Sequence, residues 1–210
     1  MPAKGQKRKN QIIDAAKEMF IERGYQSTHI GEICDNLDIA RGTVYQYFGN
    51  KREIVYSILE SLEEKIEDIF DSDDLVEFIK SDPTGDEISQ FIRKKFSKCV
   101  SAVIEEPIVI MLMYKEIVGL DEDVTERTER FVDNVIKIIA KDLAELSKKG
   151  IYRQDIDPLL TSLLIFGSVQ LLIHEYRRKG KDILDNNVVQ SVVDMIMKGM
   201  KLFEKEHRVE

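Results

Sequence analysis

Residues 12–55 read IIDAAKEMFIERGYQSTHIGEICDNLDIARGTVYQYFGNKREIV, and the fold follows from how the apolar residues are spaced along them. Ile12, Ile13, Ala16, Met19 and Phe20 recur at three- and four-residue intervals until Gly24, which predicts an amphipathic helix from about Lys7 to Arg23. Thr28 is placed to cap a short second helix whose apolar positions are Ile30, Ile33, Cys34 and Leu37. A third helix is predicted from about Arg41 to Phe48. Asn50 with Glu53 three residues on has the spacing of a capping box and opens a fourth helix reaching toward Phe70. Two short helices separated by only about three residues cannot lie antiparallel; they cross steeply as a helix-turn-helix, braced by the first and fourth helices.

The third helix divides into two faces. At about 100° per residue, Val44 and Phe48 share a face that must pack against Ile33 and Leu37, which leaves Gly42, Thr43 and Gln46 facing away. Arg41, at the helix start, is placed to meet a guanine edge or a phosphate, and Gln46 to pair with adenine. Gly42 weakens the helix by about 1 kcal/mol relative to alanine, a cost that a close backbone approach to DNA would offset.

Taken in order, the amphipathic helix, Arg23-Gly24-Tyr25, the Thr28 cap, the short helix and turn, Gly42-Thr43-Val44-Tyr45, Tyr47-Phe48 and Asn50-Lys51 resemble the DNA-binding domain of the TetR family. The resemblance covers about a fifth of the chain, and the remainder is similar only in being all helical. It implies a DNA-binding set of Thr28, Arg41, Gly42, Thr43, Tyr45, Gln46, Tyr47 and Lys51. Tyr45, Tyr47 and Lys51 would contact backbone phosphates, which position the protein and do not specify sequence. Lys7, Arg8 and Lys9 form a basic arm able to add phosphate contacts. Two residues depart from the usual pattern: Asp38 stands at a turn position often held by glycine, and Ala40 where a Ser or Thr cap is common. Losing such a cap costs about 1 kcal/mol.

Charge agrees with this division. The 210 residues carry a net −8, but residues 1–52 hold +3 and the remainder −11, a basic head on an acidic body. That arrangement suits a protein whose N-terminal part meets double-stranded DNA while the rest is kept off it. Hydrophobic residues at 43% and charged residues at 33% read as a folded, soluble chain. The polar, basic first residues do not resemble a signal peptide, and the longest apolar run, Leu163 to Ile173, is broken by Gly167, Ser168 and Gln170, so a cytoplasmic location is expected. Cys34 and Cys99 lack the spacing of a zinc site or a disulfide framework. His174-Glu175 lacks a metalloprotease spacing, His29 and His207 are distant, and the Asp71, Asp73 and Asp74 group reads as a solvated linker. No enzyme activity, metal or cofactor is expected.

Beyond Phe70, Thr84 with Glu87 is a second capping box opening a helix to about Glu105; Pro107 starts another to about Val118. Val124–Leu146, Pro158–Lys179 and Asn187–Glu204 complete an all-α chain: a three-helix DNA-binding domain at 1–52, a fourth helix linking to about 70, and a larger effector-binding and dimerisation domain over 53–210. By the resemblance, the larger domain encloses a pocket for a small apolar or amphipathic effector, with Phe96, Tyr114, Phe131, Phe166, Gln170 and His174 as its candidate lining. A palindromic operator needs a homodimer, and the last two helices carry apolar surface beyond the need of one monomer face: Leu160, Leu164 and Leu171, with Val189, Val193, Ile196 and Met200. The reading is a repressor released from its operator by the effector; the alternative is a DNA-binding protein of the same fold controlled by a protein partner.

Overall fold

The computed structural model describes residues 3–70, 72–114, 121–181 and 186–200. Among the described residues all ten elements are helices: α1 (Ala3–Arg23), α2 (Ile30–Leu37), α3 (Arg41–Tyr45), α4 (Lys51–Ile69), α5 (Ser72–Lys80), α6 (Gly85–Ile104), α7 (Pro107–Met113), α8 (Glu122–Lys148), α9 (Pro158–Arg178) and α10 (Asn186–Met200). The capping signals at Asn50, Thr84 and Asp157 act as their spacing predicts. Asn50 Oδ1 accepts from Glu53 N at 3.1 Å while Glu53 Oε2 accepts from Gly49 N at 2.7 Å, and Thr84 and Glu87 cap each other's backbone at 2.8 and 3.3 Å. Asp157 Oδ1 accepts from Leu159 N and Leu160 N ahead of Pro158, which needs no partner for an N–H it lacks.

Three elements differ from the sequence expectation. The cap of α2 is His29, not Thr28, whose hydroxyl turns back to Gly24 O at 2.9 Å and Met19 O at 3.3 Å and is fully buried. The stretch read as an acidic linker contains α5: Leu75, Val76, Phe78 and Ile79 give one apolar face, and Asp74 near its start favours the positive end of the helix dipole. Asp71 lies outside the described residues, as do 115–120 beyond α7 and 201–210 beyond α10. Helix α3 ends at Tyr45, although Phe48 N still donates to Val44 O at 3.0 Å.

The described chain packs as two compact units, residues 1–64 with 105–132 and residues 65–104 with 133–210, the boundaries falling inside α4, after α6 and inside α8. In the first, Ile12, Ala16, Met19 and Phe20 of α1 are at most 5% exposed and close over Ile33, Cys34, Val44, Phe48, Ile54 and Leu59. Burying each large side chain contributes about 1.5–3 kcal/mol, so this core outweighs the short length of α2 and α3. Gly24 ends α1 at φ 86°, its N–H donating to Phe20 O at 3.1 Å. Asp38 adopts the same left-handed conformation at φ 50° after α2, so the position usually held by glycine keeps its backbone geometry under a different residue.

In the second unit, Leu75, Val100, Val135, Ile139, Leu143, Leu146, Tyr152 and Ile173 form the core. Within it Lys95 Nζ lies 3.1 Å from Asp142 Oδ1 and over the rings of Phe70 and Phe91 at 5.5 and 5.2 Å. Burial raises the Asp142 carboxyl above its usual range while the Lys95 ammonium pulls it back. Burial also pushes the Cys99 thiol up to about 12, which makes it a poor nucleophile.

Helix α9 shows its leucines to solvent: Leu160, Leu164 and Leu171 are 56, 65 and 55% exposed, on one stripe with Gly167. By length and composition it is apolar enough to cross a membrane. Val193 of α10 is 2% exposed within its own unit, and α10 packs on α6, where Arg93 meets Asp194 at 3.0 Å. The side chains of Val189 and Met200 lie outside the described residues.

Candidate DNA-binding site

The site is a short helix held from beneath. Val44 at 0% and Phe48 at 2% exposure anchor α3, while Arg41, Gly42, Tyr45 and Gln46 are exposed. Thr43 and Tyr47 are half-buried, between the two faces. Ala40 offers no side-chain cap, so the start of α3 is fixed by Thr43 N donating to Ala40 O at 2.8 Å and by the turn behind it. There, Ile39 N donates to Cys34 O at 3.0 Å. A buried anchor and a short turn therefore set the direction in which the exposed side chains of α3 point.

Lys51, the first residue of α4, has a role that local pattern did not reveal. Its ammonium donates to Thr28 O at 2.9 Å, to Gln26 O at 3.3 Å and to Tyr25 O, and lies 4.2 Å from the centroid of the Tyr25 ring. Three donors thus meet three carbonyls of the loop between α1 and α2, and desolvation lowers the pKa of the amine. Thr28, buried beside it, closes the same loop from the other side. Both residues shape the support of the helix-turn-helix.

Tyr25 extends that support. Its hydroxyl donates to Asp121 Oδ2 at 3.2 Å, and Asp121 Oδ1 accepts from Val124 N at 2.9 Å, capping α8. Burial first, and then the Asp121 carboxylate, raise the Tyr25 pKa, so the phenol stays protonated and donating. Arg52 pairs with Asp123, and Lys17 meets Glu106 at 2.7 Å just before α7. These pairs join residues roughly 70 to 96 positions apart, as the separation of Tyr25 and Asp121 shows, and no periodicity signals them. In the basic arm, Lys7 is exposed, and Lys9 Nζ sits 5.7 Å from the Phe48 ring centroid.

The candidate effector residues are less gathered. Phe131 is 2% exposed and Tyr114 half-buried in the first unit; Phe96, Phe166, Gln170 and His174 are half-buried in the second. A cavity of about 470 Å³ in the second unit is lined by Glu67, Phe70, Leu75, Ile138 and Asp142 among others, and by none of those six. Among the described residues no group of three or more His, Cys, Asp or Glu could hold a metal ion.

Comparison with known proteins places this geometry. The profile of the "Bacterial regulatory proteins, tetR family" matches residues 12–58. The chain is 26% identical over 159 residues to the fatty acid metabolism regulator protein of Bacillus subtilis, covering 76% of this chain and 78% of that one. It is 37% identical over 65 residues to the HTH-type transcriptional regulator HbdR of Aromatoleum, there covering only 29% of this chain and 28% of its relative. The crystal structure of the regulator FadR of Bacillus subtilis, solved in complex with stearoyl-CoA, superposes with a TM-score of 0.69 at 24% identity, covering 90% of this chain and 97% of that one. The fold is thus shared over nearly the whole length, while the higher identity is confined to a shorter stretch. A helix-turn-helix with a buried anchor, the family match across it and a fold shared from end to end lead to one conclusion: residues 12–58 of this chain carry the sequence pattern of the tetR family of bacterial regulatory proteins, set in a fold shared with a solved regulator.

Proposed function

We propose that the protein is a homodimeric, cytoplasmic repressor that binds a palindromic operator and is released from it by an amphipathic long-chain acyl thioester. The observation that carries the DNA-binding half is the exposed Arg41–Gln46 face standing on the buried Val44 and Phe48. On this reading residues 1–52 are the DNA-contact module, with Arg41 and Gln46 on base edges and Tyr45 and Tyr47 on phosphates, while residues 53–210 bind the effector and the second copy. Lys51 and Thr28 then serve DNA binding by fixing the α1–α2 loop.

The effector class is supported by the likeness to a fatty acid metabolism regulator, which extends over 76% of the chain and so well beyond the head. The dimer is supported by the leucine stripe of α9, because a soluble monomer rarely leaves such a contiguous apolar face in water. An effector releases DNA only if it binds the non-binding conformer more tightly, since equal affinity for both shifts nothing.

The test is operator affinity measured by fluorescence anisotropy with and without acyl-CoA of increasing chain length. We expect at least about a tenfold loss with long chains and none with coenzyme A alone, within the usual range of coupling between sites. Unchanged affinity with every acyl-CoA would overturn the effector assignment.

A further inference from the structure

Helix α2 forms the wall against which the first residue of α3 is set, and that wall has a gap at position 31. A Cβ built on Gly31 would lie 2.6 Å from Arg41 Nη2, 3.1 Å from Cζ and 3.3 Å from Nε. The edge of the guanidinium therefore lies against bare helix backbone, in space that any other residue would fill. Backbone freedom does not explain the glycine, because position 31 lies within regular α2 and outside the left-handed region. Glycine weakens a helix relative to alanine, so its presence here calls for a packing reason. Gly42 makes a useful contrast: its notional Cβ meets nothing within 4 Å.

The surroundings hold the guanidinium without consuming it. Glu32 and Asp35 of α2 line the same hollow of about 650 Å³ as Arg41 and Tyr45, which places negative charge near the arginine. Yet Arg41 makes no hydrogen bond or ion pair among the described residues, so its N–H donors remain available to a base edge. Shape and diffuse charge seat the group, and its hydrogen-bonding capacity is left for DNA.

We infer that Gly31 is a positioning residue for sequence recognition: by lacking a side chain it seats Arg41 against α2 before DNA arrives. Arginine then meets the groove with its conformational freedom already reduced, and preorganisation of this kind raises affinity without adding a contact. The inference rests on Arg41 being a DNA contact, as proposed above.

The experiment compares the full-length protein with Gly31→Ala, Arg41→Ala and the double variant, measuring operator affinity, base preference and thermal midpoint. Alanine needs only the flexible end of Arg41 to swing away, so Gly31→Ala is expected to fold with an equal or higher midpoint. Its operator affinity should fall by about three- to tenfold for each half-site, the effect of freeing one long side chain in each copy. The relaxed preference should fall at the same base pair that Arg41→Ala relaxes. In the Arg41→Ala background Gly31→Ala should add less than about a twofold change, the margin within which uncoupled sites add. A Gly31→Ala affinity within about twofold of the parent, while Arg41→Ala is weakened, would overturn the inference alone. An equal loss in the Arg41→Ala background would overturn it too, since alanine would then be meeting DNA itself. An Arg41→Ala variant that binds like the parent would instead remove the reading of Arg41 on which the inference stands.

Discussion

Helices α3 and α9 are both exposed, and they are exposed in opposite ways. The first is five residues long, held by two buried side chains, and shows the solvent an arginine, a tyrosine and a glutamine. The second is 21 residues long and shows it leucines. A polar face over a dry anchor is stable as it stands and suits a charged, hydrogen-bonding partner. An apolar stripe is incomplete in a single chain, and what completes it has to be apolar as well. On the proposed function the two helices differ in partner: α3 would serve the operator and α9 a second copy.

The largest test of that contrast is Leu164→Glu. The side chain is 65% exposed, so the single chain loses little by the change, whereas a charge at the centre of an apolar interface is severe. We expect a folded monomer in sedimentation analysis and operator binding weaker by on the order of 100-fold, because two linked heads become one. A dimer with parental affinity would place the interface elsewhere. Val193→Asp is the wrong probe for this question: at 2% exposure in its own unit it should damage the fold itself.

Next in size is Arg41→Ala, with Gln46→Ala beside it. Each should cost about 1–3 kcal/mol of binding per half-site if its base contact is bidentate, and should flatten preference at one position of each half-site. Selection of binding sites from a random library reads this directly, and unchanged selectivity in both variants would mean that the groove-facing side of α3 is a different one.

Lys51→Ala separates support from contact. Loss of three carbonyl bonds should lower stability by about 1–2 kcal/mol in urea unfolding, with the slope of log affinity against log salt unchanged. A slope shallower by about 0.9 for each of the two copies, with unchanged stability, would return the lysine to a phosphate.

The smallest effect is expected from Asp38→Gly. Asp38 holds φ at 50°, where glycine carries no side-chain penalty, so the variant should gain up to about 1 kcal/mol, seen as a raised thermal midpoint, with base preference unaltered.

What the sequence made legible follows the reach of its interactions. The helix-turn-helix was readable because its determinants are local: Val44 and Phe48 at helical spacing, Gly24 as a stop, Asn50 with Glu53 as a start. Helix α5 was hidden behind its own aspartates, which look like linker until Leu75, Phe78 and Ile79 are seen on one face. The tie from Tyr25 to Asp121 spans 96 positions and leaves no periodic trace. Nor does the apolar pattern say which partner a residue meets: Leu164 and Val193 read alike, yet one is bare and the other buried. Gly31 leaves no trace for a related reason: a missing side chain makes no pattern, and only the guanidinium lying beside it marks the gap.

The bare stripe of α9 also carries a genetic consequence. If, as proposed, α9 pairs and α3 reads DNA, the two surfaces reside on separate helices, and damage to one should leave the other intact. A chain with a dead head but a sound α9 will still join normal chains, and every mixed pair it forms has one working head instead of two. In a cell making both kinds in equal amount, random pairing leaves only about a quarter of the pairs whole, so head alleles should be dominant. An allele such as Leu164→Glu, which cannot pair, should instead be silent beside a normal copy.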